Sequence, residues 1–488
     1  MQLLVKAALT ALCALPQAAV AASVVTYHNS NSRQGAYIEP TLTHAAAAGV
    51  KLDTGFNATV NGHVYAQPLF WHAKGLAPEV IVVTESNQVA ALNAATGAPI
   101  WTVQLPASVP SNALGCGNVN PEGIHGTPVI DASTGTLYLD ALVEIAGAPT
   151  HTLYGLSLQT GATLPGWPLN VDAALKAAGA SFTAHNQGER SGALIHGGHL
   201  YVVYGGRYGD CDPYYGTAIE VDPTTQKLVG HWQTRASGGG IWAQGGISSD
   251  GKSLFVTTGN TMNASTWMDG EAILRLRPGL AHSTSTADYF TPSNWLNLDQ
   301  TDEDLGGTEA IPLDIHAGGK TFGRIIAFGK NGSAYLVNRN NLGGIGGQIA
   351  TQSLSGTVII TAPAVYETDT GTMVAFTNYA ANAPCSGNAM DMIKVDARGS
   401  KPISNVWCAA FNGGGSPIIT TTDGTKNPVV WVLGAGGDNV LHGFNATTGA
   451  VLYTGTNVLS GLHNFQTLIA AEGRFYVAGD GKVYAFSW

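Results

Sequence analysis

"VAALNAATGAPIW", residues 89 to 101, contains a short alternating strand, a turn through Thr96 and Gly97, and the start of a second strand at its end. Alone it would be an ordinary hairpin, but it recurs. "LYGLSLQTGATLPGW" starts at Leu153, "TAIEVDPTTQKLVGHW" at Thr217, "AILRLRPG" at Ala272 and "AYLVNRNNLGG" at Ala334. "MIKVDARG" follows at Met392, "LHGFNATTGAVLY" at Leu441 and "KVYAFSW" at Lys482. The eight copies are spaced roughly 40 to 65 residues apart. Between them lie stretches such as "HGTPVID", "KSLFVTTGN", "PVVWVLGAGG" and "GRFYVAGDG", which read as strands bounded by glycine turns. That makes about four strands per copy, with no useful helical periodicity after the first twenty or so residues.

Four-stranded units repeated at this period predict an all-β fold, an eight-bladed β-propeller of antiparallel blades around a central funnel. Each sheet alone would expose an edge, which radial closure covers. The last copy ends on its strand at Trp488, and "SVVTYHNSN" (23–31) is expected to complete that final blade. Length alone would suggest about three domains. The repeat predicts a single propeller domain over 23–488 instead.

Charged residues are 11% of the chain against ~25% in an average soluble domain. The net charge of −10 argues against nucleic acid as a partner. Sparse basic residues also limit self-repulsion once carboxylates neutralise, which suits a protein working in acid. Residues 1–22 read as a signal peptide: Lys6, an apolar run from Ala7 to Ala19, and small residues for cleavage after Ala21 or Ala22. Export to the periplasm, the cell surface or the medium is expected, with no transmembrane segment. Cys116, Cys211, Cys385 and Cys408 remain after cleavage. An even number in an oxidising compartment predicts two disulfides, with Cys385–Cys408 the local pair and Cys116–Cys211 by elimination; four buried free thiols are the alternative.

The repeat resembles the Ala-x-Asp-x-x-Thr-Gly-x-x-x-Trp signature of quinoproteins, the pyrroloquinoline quinone (PQQ) dehydrogenases. That resemblance places Trp242 of "GGGIWAQGG" under the quinone and Asn260 of "TTGN" at a calcium ligand. It places Asp304 of "TPSNWLNLDQTDEDLGG" on the catalytic aspartate, and Lys330 of "GKNGSAYLVNRNN" at the basic residue beside the quinone. Two family features are missing. The chain has no adjacent pair of cysteines, and the position of the calcium-ligating glutamate falls at Cys211, between Asp210 and Asp212. There is no CxxCH haem motif.

"VTYHNSNSRQGAY", "NGHVYAQPLFW", "CGNVNPEGIHGTPVID" and "GGRYGDCDPYYG" resemble more closely the tetrathionate hydrolases, exported propeller enzymes of acidophilic sulfur oxidisers. That resemblance implies hydrolysis of a small anionic sulfur compound by a cavity carboxylate, with no cofactor and no metal. PQQ and calcium belong to the alternative reading of a PQQ-dependent dehydrogenase. A non-enzymatic propeller scaffold is the third reading, and a homodimer is left open.

"DEDLGGTEAIPLD" (302–314) packs Asp302, Glu303, Asp304, Glu309 and Asp314 into thirteen positions of a chain with only 32 acidic residues. Asp304 is the expected base, with Asp302 and Asp314 as the other carboxylate candidates. Lys330 is expected to keep Asp304 ionised at low pH. Arg190, Arg207 and His125, in glycine-flanked loops, are the expected donors to sulfonate groups, since guanidinium forks match multi-oxygen anions. Trp242 and Asn260 complete the expected cavity lining. Gly413 to Gly415 carry no phosphate-binding signature and read as a tight turn.

Overall fold

All eight copies of the repeat become the third strand of a blade, from Gln88–Asn93 in the first to Lys482–Ser487 in the last. The turn chemistry explains why the sequence repeats. Asn93 Oδ1 accepts the backbone N–H groups of Ala95 and Thr96 and the Thr96 hydroxyl, which folds the chain back onto the fourth strand. Gly97 then adopts φ +77°, and a Cβ there would lie 2.8 Å from the Asn57 carbonyl carbon, so only glycine fits. Asn445, Thr447, Thr448 and Gly449 repeat the arrangement in the seventh blade. The tryptophan of the motif joins one blade to the next. Trp101 Nε1 donates to the Leu158 carbonyl at 2.8 Å, and its ring lies against Gly161; Trp407 does the same to Ala446 and Gly449.

The structure, a computed structural model, describes residues 23–488 apart from 369, 370 and 383. The signal peptide expected over 1–22 lies outside the described residues. Eight sheets form the ring, spanning 69–104, 129–170, 187–233, 248–291, 311–353, 364–410, 418–454 and 469–487 in chain order. In the first, Leu69–Trp71, Glu79–Val83, Gln88–Asn93 and Pro99–Gln104 run antiparallel from the axis outward. Blade four gains Gly344–Ile345 and blade seven gains Ala36–Ile38 as extra parallel strands. Apolar side chains on the facing sheets are buried between neighbouring blades. Val203, Val256 and Leu274 pack between blades three and four, and Phe328, Val374 and Phe376 between five and six. The longest helices among the described residues, Val171–Ala177 and Trp295–Thr301, have seven residues. None is long and apolar enough to cross a membrane.

Ring closure differs from the expectation. Blade eight is completed by Lys51–Leu52 and Ala58–Thr59, both paired with Lys482–Ser487, and not by residues 23–31. Residues 23–31 cannot be that strand, because His28 and Asn29 take left-handed conformations (φ +50° and +59°) with Tyr27 and His28 buried.

The segment winds around the axis instead, touching the blades in order. Val24 bridges Phe70 of blade one, and Val25 accepts from Ile130 of blade two. Thr26 and Asn31 donate to Ala193 and Ile195 of blade three and its inner edge, and Asn31 accepts from Ser249 of blade four. Gln34 reaches Pro312 and Val365 of blades five and six, Gly35 reaches Ile419 of blade seven, and Glu39 accepts from Gly473 of blade eight. Arg33 is fully buried at the centre. Its guanidinium donates to the Thr26 hydroxyl and to the carbonyls of Tyr27, Gly192, Ala193 and Ile247, so a charge without water is saturated by oxygen.

Candidate active site

The segments that lead into the inner strands, with neighbouring loops, enclose a cavity of about 760 Å³ at one end of the axis. Tyr27 of the winding segment forms part of its wall. An extended chain sends every second side chain the same way. Accordingly Tyr65 and Gln67, His125 and Thr127, and Trp242 and Gln244 line the cavity as pairs two apart.

Asp304 and Lys330 form its most polar wall. Asp304 follows the short helix Trp295–Thr301, and Lys330 follows the second strand of blade five, Lys320–Phe328. Lys330 Nζ lies 2.7 Å from Asp304 Oδ2 and 2.8 Å from Asp302 Oδ1. Asp304 Oδ1 accepts the Asn260 N–H at 2.9 Å, and the Lys330 N–H donates to the Asp304 carbonyl at 2.8 Å. The Lys330 ammonium stands 5.2 Å above the Trp242 ring. Gly259 lets the pieces meet: a Cβ there would lie 3.0 Å from Asp304 Oδ1 and 3.1 Å from Trp242 Nε1. The four residues that the quinoprotein resemblance aligns thus converge on one spot.

The electrostatics depart from the expectation. Asp304 is only 2% exposed, and burial raises its pKa above the ordinary aspartate value despite the opposing pull of Lys330. Lys330 does not hold it low. Burial would lower the Lys330 pKa, but the two carboxylates outweigh it and raise it. Behind Asp304, Glu271 accepts the Leu305 N–H at 2.6 Å through Oε2, while its buried Oε1 has no hydrogen-bond partner among the described residues. Burial first, then the charge of Asp304, push the Glu271 carboxyl well above its usual range.

The other candidates separate by their partners. Among the described residues, Arg190 makes one hydrogen bond, to the Gly206 carbonyl at 3.2 Å, so most of its fork remains available to the cavity it lines. Burial lowers its pKa. Arg207 also lines the cavity, but its Nε donates to Glu122 Oε2 at 3.0 Å, its Nη2 pairs with Glu122 Oε1 at 2.9 Å, and its Nη1 donates to the Gln187 carbonyl. It is a clamp with little left for a ligand. His125 pairs with Glu85 at 2.6 Å and stacks on Tyr65, which stacks in turn on His463. Asp302 reaches the rim. Asp314 does not line the cavity: it lies on the first strand of blade five, Ile311–Ala317, exposed and paired with Arg339 at 2.6 Å. It is removed from the candidate bases, because that strand turns it outward.

Both expected disulfides are present, with Cα–Cα distances of 5.9 Å for Cys116–Cys211 and 6.1 Å for Cys385–Cys408. The first joins two loops whose neighbours Gly117 and Asp210 line the cavity. Asp210 accepts from the Tyr214 hydroxyl at 2.8 Å, and Asp212 binds the Ser237 hydroxyl away from the cavity.

The chain superposes on a europium-containing methanol dehydrogenase with a TM-score of 0.65 and 15% identity, over 95% of this chain and 89% of that one. It superposes equally well on the quinohemoprotein alcohol dehydrogenase of Comamonas testosteroni: TM-score 0.65, 16% identity, 96% of this chain and 80% of the other. BamB from Moraxella catarrhalis matches at 0.51, with 14% identity over 90% and 100% of the two chains. These likenesses establish a shared eight-bladed propeller fold with the two dehydrogenases. No family model and no curated protein matches the sequence.

The donor set can be tested against the calcium and quinone of the alternative reading. A tricyclic acid would find room, an aromatic face at Trp242 and cations at Arg190 and Lys330. The ion would not be held as well. Calcium takes six to eight oxygen ligands. Here Asp302 and Asp304 already share one ammonium, and among the described residues no third His, Cys, Asp or Glu joins them in a compact group. The arrangement fits an organic anion better than it fits calcium.

Proposed function

We propose that this chain is an exported enzyme that hydrolyses a small sulfur oxyanion, tetrathionate being the expected substrate, with Asp304 as general base. The observation that carries the reading is the ammonium of Lys330, held between Asp302 and Asp304 over Trp242 in a cavity whose Arg190 keeps free donors. A base beside a cation suits attack by water on an anion. The cation offsets the negative charge of the substrate, and the base removes the proton that attack releases.

Each oxygen of Asp304 has a second acceptor position beyond the hydrogen bond it already makes, so the carboxylate can still hold a water. The water oxygen bonds to one of the two inner sulfurs while the central S–S bond breaks. The bonding pair leaves with thiosulfate, and the proton passes to Asp304. The remaining sulfenyl sulfonate decomposes to sulfate and elemental sulfur. In sum, tetrathionate and one water give thiosulfate, sulfate, sulfur and two protons. Arg190 and Lys330, which both line the cavity, would bind the terminal sulfonates through charge-assisted hydrogen bonds.

A second reading is PQQ-dependent alcohol oxidation. It is favoured by the meeting of Trp242, Asn260, Asp304 and Lys330 and by the fold shared with two dehydrogenases; the lack, among the described residues, of a third carboxylate grouped with Asp302 and Asp304 weighs against it. One experiment separates the readings. Purified protein is given tetrathionate without added cofactor, and in parallel PQQ, Ca²⁺, an alcohol and an electron-accepting dye. Thiosulfate in the first supports hydrolysis. Dye reduction in the second, with none of the first, replaces it. Silence in both, with Asp304→Asn as stable as the parent, returns the chain to the scaffold reading.

A further inference from the structure

At the edge of the cavity, where His463 lines it, three side chains outside the Asp304 site converge. His63 Nδ1 lies 2.6 Å from Asp480 Oδ2, and His463 Nε2 lies 2.7 Å from Asp480 Oδ1. The three donor atoms all lie within 4.8 Å of one another. We propose that His63, His463 and Asp480 bind a divalent transition-metal ion of the zinc class, stapling the last blade to the chain entering the first.

Two imidazoles and one carboxylate suit zinc, copper, nickel or ferrous iron, and are a poor match for calcium or magnesium, which prefer oxygen alone. At ~2.0–2.1 Å metal–ligand bonds, tetrahedral donors stand about 3.3 Å apart. The widest pair therefore closes by at most about 1.5 Å, a displacement that rotating one imidazole supplies. The ion would replace the protons now shared between each imidazole and the carboxylate.

The surroundings hold the ligands in place. The Val64 N–H donates to Asp480 Oδ1 at 3.0 Å and fixes the carboxylate. The His463 ring lies on Tyr65 with centroids 4.1 Å apart. Gln466 accepts the His463 N–H at 2.7 Å and donates to the carbonyls of Val64 and Ala478, so one amide ties all three ligand-bearing stretches. Such support is what metal sites use to orient their ligands. The site is also open to solvent, with side-chain exposures of 47% for His63 and 26% for each partner. His463 borders the cavity, which places the ion in its wall.

The test uses the full chain, stripped with chelator and dialysed, and titrated calorimetrically with ZnCl₂ near neutral pH. The expected result is one ion per chain, with the affinity falling at least tenfold in His63→Ala and in Asp480→Asn. Co²⁺ loaded in place of zinc should give visible d–d absorption that His63→Ala abolishes. His63 is half-exposed, so that variant should keep the parent's circular dichroism; His463→Gln serves as the second variant if it does not. No binding by the parent, or binding unchanged in these variants, overturns the proposal.

Discussion

Glu309 was the least visible member of the acidic stretch, and it gives the sharpest test of the physics. It is fully buried, and among the described residues its Oε1 has no hydrogen-bond partner and its Oε2 accepts only a long 3.4 Å hydrogen bond from the Gly245 N–H. Burial pushes its pKa from 4.5 up to about 7, opposed by backbone N–H groups and by Arg33. At ~1.36 kcal/mol per pH unit that is about 3 kcal/mol. Below about pH 4.5 the folded and unfolded chains both hold the proton. Between 4.5 and about 7 only the unfolded chain gives it up, so rising pH destabilises the fold. Above 7 the full loss is reached. Glu309→Gln keeps the shape and cannot ionise. With an unfolding entropy of ~2.1 cal/mol/K per residue, a chain this long shifts its Tm by only ~1 °C per kcal/mol. Melting temperatures of the parent and Glu309→Gln, measured from pH 4 to 8, should therefore diverge by about 3 °C in favour of the variant between pH 4.5 and 7.5. Parallel curves would refute the reasoning and show that Arg33 keeps Glu309 ionised throughout. Glu39 and Glu79, also raised to about 7 by burial, act in the same direction, so this interior favours an acidic medium.

Asp304→Asn should lower kcat for tetrathionate by ~10²–10⁴-fold, the usual share of a general base, while Asp314→Asn leaves it unchanged; the reverse would move the base to Asp314. Lys330→Gln removes the cation that draws the Asp304 pKa down, so the acidic limb of kcat/KM should move to higher pH. An unmoved limb would mean that another group titrates. Alkylation of the unfolded protein without reductant should label none of Cys116, Cys211, Cys385 and Cys408, and mass spectrometry would reveal any that is free.

The propeller was legible because the determinants of its third strand are local: an Asn or Asp that folds the turn, a glycine at positive φ, and often a tryptophan for the next blade. The convergence of Asp304, Lys330, Trp242 and Asn260 was legible only through likeness to a family motif. Tyr65, His463 and Glu122 were missed because nothing in their immediate sequence marks them. Their signal lies in register, since the residues a few positions before each inner strand alternate into the cavity. The Lys330 effect on Asp304 was misjudged because a sequence shows the neighbouring charge and hides the loss of water. Residues 23–31 were misplaced because a short polar stretch gives no sign that its partners lie hundreds of positions away.

Most repeat proteins are built like stacks, in which each unit leans only on its neighbours and an end can fray while the middle stands. The winding segment removes that option here. Glu39 alone reaches a partner 434 positions along the chain, and the residues before it touch the inner edges of seven other blades. No blade is terminal in any energetic sense, because the same thread supports all of them. Cutting the chain after residue 39 and losing the segment would loosen the whole ring together. Melting should accordingly be a single event, and residues 24–39 settle into place only once the last blade exists to receive them.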